Sequence, residues 1–270
     1  MNADMKTILG GLGYAARRLA LRLLARGDEV HAVTRDPERF GALRSLGLRV
    51  VGFDSPALPE ASTLVLSIPP VTGADGIELR RFFASLRPRR VVYVSSTGVY
   101  GDSSVIDENS PAAPSGETGV ARFEDEQWIS RGDWESLILR SAAIYGPGRG
   151  AHEGVREGRL TRSAGSGIVS RIHVDDLAAI LEAGARSDLT GAWPLADDCP
   201  CPSEEVARYA ASVLRVATSI PARPVIVSGR KVDGKKIREL LGIELRYPSY
   251  HSGVLASLAE TSSGYNPNPA

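Results

Sequence analysis

Lys6-Thr7-Ile8-Leu9-Gly10-Gly11-Leu12-Gly13-Tyr14-Ala15-Ala16 is the stretch whose reading decides the rest. Lys6 to Gly10 is a short strand-like run, and Arg17 to Arg26 is amphipathic. The order is strand, glycine turn, helix. Glycines 11 and 13 with Ala16 fit G-x-G-x-x-A, and glycines 10 and 13 with Ala16 fit G-x-x-G-x-x-A. In either register glycine permits a tight turn and lets a pyrophosphate approach the backbone. A small residue at 16 lets helix and strand pack closely, and the positive end of the helix faces the anion. A glycine pattern alone is weak, but a strand before it and a helix after it supply the context that a dinucleotide site needs. Gly10, Gly11, Gly13, Tyr14 and Ala15 are therefore the expected phosphate contacts.

Working outward, strands and helices alternate. Glu29–Val33 reads as a second strand. Asp36 and Pro37 suit a helix start, with a helix to Leu46 closed by Gly47. Leu48–Phe53, Thr63–Ile68, Arg90–Val94 and Glu135–Leu139 are further strands, with helices at 77–86 and 120–130 between them. This alternation predicts parallel β-α-β units with right-handed crossovers, a doubly wound α/β fold. After Tyr145 the chain becomes glycine-rich and loop-like, with a short helix expected at 154–159. Arg171–Val174 and Gly191–Ala196 are extended, Asp175 is placed to cap a helix through Ala185, and Ser203 one to Val216. A strand at 225–227 and short helices at 235–241 and 253–259 complete the chain. The expected division is a Rossmann-like domain over 1–145 and 171–197, a substrate cap over 146–170 and 198–261, and a flexible tail over 262–270.

Composition narrows the partners. The chain has 270 residues, 43% hydrophobic, with 32 acids and 32 bases. That balance favours neither nucleic acid nor a membrane surface. No apolar run approaches a bilayer span, and Met1 to Lys6 is too polar for a secretory signal. Cys199 and Cys201 flank one proline and form no disulfide framework, and four histidines offer no metal cluster near them. A cytoplasmic protein without metal is expected. The bases are 28 arginines and only four lysines: Lys6, Lys231, Lys235 and Lys236.

In a doubly wound fold, the residues closing the second strand read the adenosine ribose: an acid bonds a 2′-hydroxyl, an arginine accommodates a 2′-phosphate. Val33 lies twenty residues after Gly13, so Thr34 to Asp36 is the reading zone. Arg35, with Arg39 a turn later, favours NADP (as NADPH) through the planar guanidinium fork. Asp36 is the counter-reading, although helix capping explains it more simply.

Five segments resemble signposts of the extended short-chain dehydrogenases/reductases, the NAD-dependent epimerase/dehydratase family. They are Gly10–Ala16, Tyr93-Val-Ser-Ser-Thr-Gly-Val-Tyr-Gly101, Asp107-Glu-Asn-Ser-Pro111, Leu139-Arg-Ser-Ala-Ala-Ile-Tyr-Gly-Pro-Gly148 and Arg171-Ile-His-Val-Asp-Asp-Leu-Ala178. Their order matches from residue 5 to about 260, and the likeness is nearest to atypical members. The resemblance implies a catalytic serine at Ser96 and a Tyr-x-x-x-Lys position at Thr118-Gly-Val-Ala-Arg122, so tyrosine has become Thr118 and lysine Arg122. Since no lysine lies between Lys6 and Lys231, no small alignment shift restores the dyad. Threonine does not ionise near neutral pH, and arginine does not release a proton, so another group must move the proton. Tyr145 is the first candidate, against a packing role in its Tyr-Gly-Pro turn; Ser96 and Thr97 could bind a substrate carbonyl with or without chemistry, and Tyr14, His173, Glu108 and Tyr100 carry structural readings. The resemblance adds Asp54 near adenine, Ser67, Ile68 and Pro69 along the nicotinamide, and a homodimer through helices 77–86 and 120–130.

Arg149, Arg156, Arg159, Arg162 and Arg171 cluster in sequence and suit an anionic substrate, against a default of solvated arginines. The expectation is an NADP-dependent oxidoreductase or epimerase-like enzyme for a small polar metabolite, with a noncanonical proton donor. Two alternatives stay open: an NADP-binding sensor or scaffold without turnover, and a non-redox isomerase or lyase using the same pocket.

Overall fold

The structure, a computed structural model, describes residues 6–55, 58, 63–159, 167–217 and 229–263. The first half runs β1 (Thr7–Gly10), α1 (Tyr14–Ala25), β2 (Val30–Val33), α2 (Gly41–Ser45), β3 (Arg49–Val51), β4 (Thr63–Leu66), α3 (Gly73–Ser85), β5 (Arg90–Ser96), β6 (Val105–Ile106), α4 (Gly116–Ser130) and β7 (Glu135–Ser141). It continues through β8 (Ala143–Tyr145), α5 (Ala151–Arg156), β9 (Ile168–Val169), β10 (Arg171–His173), α6 (Val174–Arg186), β11 (Gly191–Leu195), β12 (Cys201–Pro202), α7 (Ser203–Leu214), β13 (Lys231–Val232), α8 (Lys235–Leu241) and α9 (Tyr250–Ser262).

Seven strands form one parallel sheet in the order β11-β7-β5-β4-β1-β2-β3. The order reverses at β1, where β2 lies on one side and β4 on the other. Alternation along each strand sends side chains to opposite faces. Leu9, Val65, Val92 and Val94 join the core under α1 and α6, whereas Ile8, Leu64, Leu66, Val91 and Tyr93 join the core on the other side with Phe83 and Ile129, from α3 and α4. This is the doubly wound arrangement that the β-α alternation predicts.

A smaller core holds Tyr145, Val155, Val206, Ala210, Tyr250, Val254 and Leu258, so α5, α7 and α9 make the cap. Of the stretch 229–245, expected in the cap, the part from Ile237 onward packs against the main core instead, through Ile237, Leu241, Ile243 and Leu245. Ile237 of α8 belongs to the main core, and β13 pairs in parallel with β6. The expected strand at 225–227, Arg162 and residues 264–270 lie outside the described residues.

Three helix starts differ from the expected ones. Asp36 makes no side-chain cap; a 3-10 turn over Pro37–Phe40 precedes the short α2. His173, not Asp175, caps α6: its Nδ1 accepts the Asp175 N–H at 3.2 Å. Burial pushes the His173 pKa down to about 3, so its ring is neutral near neutral pH and has a nitrogen lone pair to offer. Ser203 is the first residue of α7 rather than its cap, and its hydroxyl accepts from Arg171 Nη2 at 2.8 Å. Among the described residues no helix is long and apolar enough to cross a membrane, and no group of three or more His, Cys, Asp or Glu residues could hold a metal ion.

Candidate functional site

At the reversal point the register sets Gly10 level with both Val33 and Leu66. The Gly11 amide donates to Val33 O at 2.9 Å, and Ser67 N donates to Gly10 O at 3.2 Å, so the turn leaves β1 between its two neighbours. Gly11 sits at φ +86°, where side chains are disfavoured, and a Cβ there would lie 2.5 Å from Ile68 Cγ2. Gly13 is the cap residue of α1, in extended conformation and without a side-chain cap bond. The helix ladder begins with Arg17 N donating to Gly13 O. The amides of Tyr14, Ala15 and Ala16 therefore have no acceptor within the helix. A glycine turn with free amides at a helix start fits a phosphate group. At Gly10 sheet packing also asks for glycine: a Cβ there would lie 2.4 Å from Leu66 Cδ2.

The neighbouring strand ends supply the rest. Arg35 and Arg39 follow β2, both exposed and without a hydrogen bond or ion pair among the described residues. Asp54 is exposed, and its carboxylate folds back toward Gly52. Ser67 and Ile68 are half-buried beside the glycine turn, with Pro69 exposed after them. From α4, Arg122 Nη1 reaches Ile68 O at 2.7 Å, Tyr93 Oη at 2.8 Å and Val94 O at 3.3 Å, spanning the ends of β4 and β5. Ser96 ends β5, and its hydroxyl accepts the Gly98 N–H at 3.1 Å, leaving its own proton to donate.

No family model matches the chain. Protein YeeZ of Escherichia coli is 28% identical over 268 residues, covering 90% of this chain and 96% of that protein. A 3-diazoavenalumate denitrifying reductase from a Streptomyces species is 26% identical over 297 residues, covering 92% and 98%. A solved structure of a candidate NAD-dependent epimerase/dehydratase from Methylobacillus flagellatus superposes with a TM-score of 0.80 at 25% identity, covering 96% of this chain and all of that one. In fold and sequence the chain resembles the extended short-chain dehydrogenases/reductases, the NAD-dependent epimerase/dehydratase group. The glycine turn, the β5 exit and the 139–148 segment lie at the carboxyl end of the sheet, the side on which α/β folds bind ligands.

Within that family frame several expected site residues take other places. Tyr145 is only 3% exposed and packs in the cap core. Its hydroxyl donates to Ser249 O at 3.4 Å and lies where a Cβ on Gly253 would fall. Burial, with Asp197 and Asp176 adding to it, raises its pKa further above the ordinary phenol value. Tyr145 therefore faces the start of α9 rather than open solvent. Tyr14 is the first residue of α1; its hydroxyl donates to Pro147 O at 3.0 Å, and Arg149 lies over its ring. It ties the glycine turn to the 146–150 loop. His173 packs against Tyr145 and Tyr247, with Nε2 at 3.2 Å from Ser257 Oγ. Glu108 is exposed, and Tyr100 is buried beneath the Arg140 guanidinium. Thr118 is exposed in the first turns of α4. The sequence cluster of arginines disperses: Arg156 pairs with Glu153, Arg159 with Glu157, and buried Arg171 donates to Val169 O and Cys201 O.

Sequence reasoning missed what holds β5 in place. Buried Glu126 accepts from Ser95 Oγ at 2.6 Å and from Arg140 Nη2 at 2.8 Å. Asp125 accepts from Arg80 at 2.7 Å and from Tyr93 Oη at 3.2 Å. Arg140, a lone charge at the end of the apolar run Leu137–Leu139, was the signal for the first. Burial raises the Tyr93 pKa although Arg122 opposes it, so the phenol stays protonated and relays between Arg122 and Asp125.

Proposed function

We propose that the chain is an NADP-dependent oxidoreductase for a small polar metabolite that works without the tyrosine–lysine dyad. The uncapped start of α1 at the reversal of strand order carries this reading. Gly11 and Gly13 let the pyrophosphate approach, and the amides of Tyr14, Ala15 and Ala16 donate to it. Arg35 and Arg39, exposed after β2, hold the 2′-phosphate. Arg122, at the family's lysine position, puts a permanent cation beside the carbonyls of Ile68 and Val94 and steadies the nicotinamide ribose. The bound cofactor supplies or accepts a hydride. The NAD-dependent description of one structural neighbour and the reductase name of one relative support this chemistry.

The side chains near Ser96 position rather than titrate. Ser96 donates its hydroxyl proton to a substrate oxygen while the Gly98 amide fixes its rotamer. Thr118 does not ionise and Arg122 does not release its proton, so a proton required by the reaction comes from water. Positioning alone accounts for a large part of a hydride-transfer barrier.

The test is NADPH oxidation against a panel of carbonyl and other electrophilic compounds, with Ser96→Ala in parallel. Turnover reduced by Ser96→Ala, with cofactor affinity kept, supports the enzyme. A cofactor-binding sensor is the second reading, and the burial of Tyr145 favours it. A sensor would bind NADP⁺ and NADPH unequally and oxidise NADPH with no compound in the panel.

A further inference from the structure

The turn that follows Ser96 is held by a second arginine, brought from far along the chain. The strap Gly229–Asp233 threads between β9 and the loop after β5. Arg230 N donates to Ile168 O at 2.8 Å, Lys231 N to Ser104 O at 2.8 Å, and Asp233 N to Ile106 O at 2.8 Å. Gly229 has φ +145°, and a Cβ there would lie 2.2 Å from Ile168 N, so only glycine lets the strap pass. This fixes the backbone from which Arg230 projects.

The Arg230 guanidinium covers the turn that follows Ser96. Nη1 donates to Thr97 O at 2.7 Å, Nε to Ser103 O at 3.3 Å, and Nη2 to Gly101 O. All three acceptors are neutral carbonyls, and Arg230 has no ion pair among the described residues. A guanidinium has five N–H donors, so two, one on each terminal nitrogen, stay unused. Arg122, on the other side, is likewise held by two carbonyls and a phenol, with no ion pair among the described residues. The two cations thus grip β5 and its exit at Val94 O and Thr97 O, on either side of Ser96. At about 3.3 Å per extended residue these carbonyls are roughly 10 Å apart. The arginines in this chain that serve structure are mostly compensated: Arg140 by Glu126, Arg80 by Asp125, Arg156 by Glu153 and Arg186 by Asp28.

We propose that Arg230 is a substrate-binding residue: its two unused N–H groups, one on each terminal nitrogen, hold an oxyanion of the substrate, a carboxylate or a phosphate, next to Ser96. The inference rests on the oxidoreductase reading and adds the substrate class to it. It also moves anion recognition from the arginines of 149–171 to the strap. The three carbonyls pre-orient the fork, so less side-chain freedom is lost when the anion arrives.

The test is a titration of the NADPH-loaded protein with benzoate, with inorganic phosphate and with the neutral benzamide, following the Arg230 Nε–H and Thr97 amide signals by NMR. Loading fills the cofactor's own phosphate positions. Saturable shifts with benzoate or with phosphate, and none with benzamide, support the proposal; whichever oxyanion binds tighter identifies the source. Arg230→Gln should weaken that binding about ten-fold or more, while Arg230→Lys, which keeps the charge and loses the fork, retains part of it. Wild-type protein that saturates with neither oxyanion, or binding unchanged in Arg230→Gln, overturns the proposal. Benzoate titrated without cofactor keeps the two readings apart: NADPH that fails to bind refutes the cofactor reading, whereas the Arg230 signal reports the anion subsite by itself.

Discussion

Asp197→Asn should remove a pH dependence built into the sheet. Asp197 follows β11 and is 3% exposed. Its Oδ1 accepts the Cys199 N–H at 3.1 Å, and its Oδ2 has no hydrogen-bond partner among the described residues. Burial pushes the carboxyl up from 3.8 to about 7; Asp198 adds to the rise, while the Cys199 amide, Arg171 and Arg238 oppose it. A carboxyl whose folded pKa lies above its unfolded value stabilises the fold only while protonated. That contribution is complete below the unfolded value and is lost as pH rises through the folded one. At about 1.4 kcal/mol per pH unit the full effect is about 4 kcal/mol, and about 2.5 kcal/mol of it is lost between about pH 5 and pH 8. Asparagine keeps the acceptor for Cys199 and does not ionise. Its buried amide adds a constant penalty of about 1–3 kcal/mol, so the slope is the informative quantity. Urea unfolding of both proteins across this range measures it. The variant should gain about 2.5 kcal/mol on the wild type from the acid to the alkaline end. Parallel stability curves would refute the reasoning and mean that water or a rearranged partner reaches Oδ2.

Glu126→Ala leaves the buried Arg140 guanidinium without its carboxylate, and urea unfolding should show a loss of about 3–5 kcal/mol; a loss under about 1 kcal/mol means the pair is solvated. Gly11→Ala puts a methyl 2.5 Å from Ile68 Cγ2 at φ +86° and should abolish NADPH binding, measured by calorimetry. Gly41→Ala, with no atom within 4 Å, is the control that should bind normally. Tyr145→Phe removes one long bond to Ser249 O, so it should cost less than about 1 kcal/mol of stability and leave NADPH oxidation unchanged; lost turnover would return Tyr145 to the site.

The sheet was legible because its signals are local. The apolar run at 64–66 and the glycines at 11 and 13 each answer a constraint set by their immediate neighbours, so the parallel fold and the glycine turn follow from a few residues apiece. Side-chain direction was not legible where another element decides it. Tyr145 sits at the end of a strand in either reading, but α9 covers it, and only the fold brings Gly253 against its ring. Asp175 looks like a helix cap, yet the preceding His173 takes the role because burial keeps its ring neutral. Arg230 lies 133 residues from the Thr97 carbonyl it holds, so no spacing could have paired them. The allegiance of 237–245 was hidden for the same reason: Ile237 looks like any apolar helix residue until α6 and β11 are packed against it.

The most direct measurement is calorimetric titration of the protein with NADPH and with NADH, beside Arg35→Ala. The account predicts selective NADPH binding, weakened about ten-fold or more by the substitution while NADH changes little. Equal weakening of both would contradict the assignment of Arg35 to the 2′-phosphate. Binding of neither would contradict the oxidoreductase reading itself.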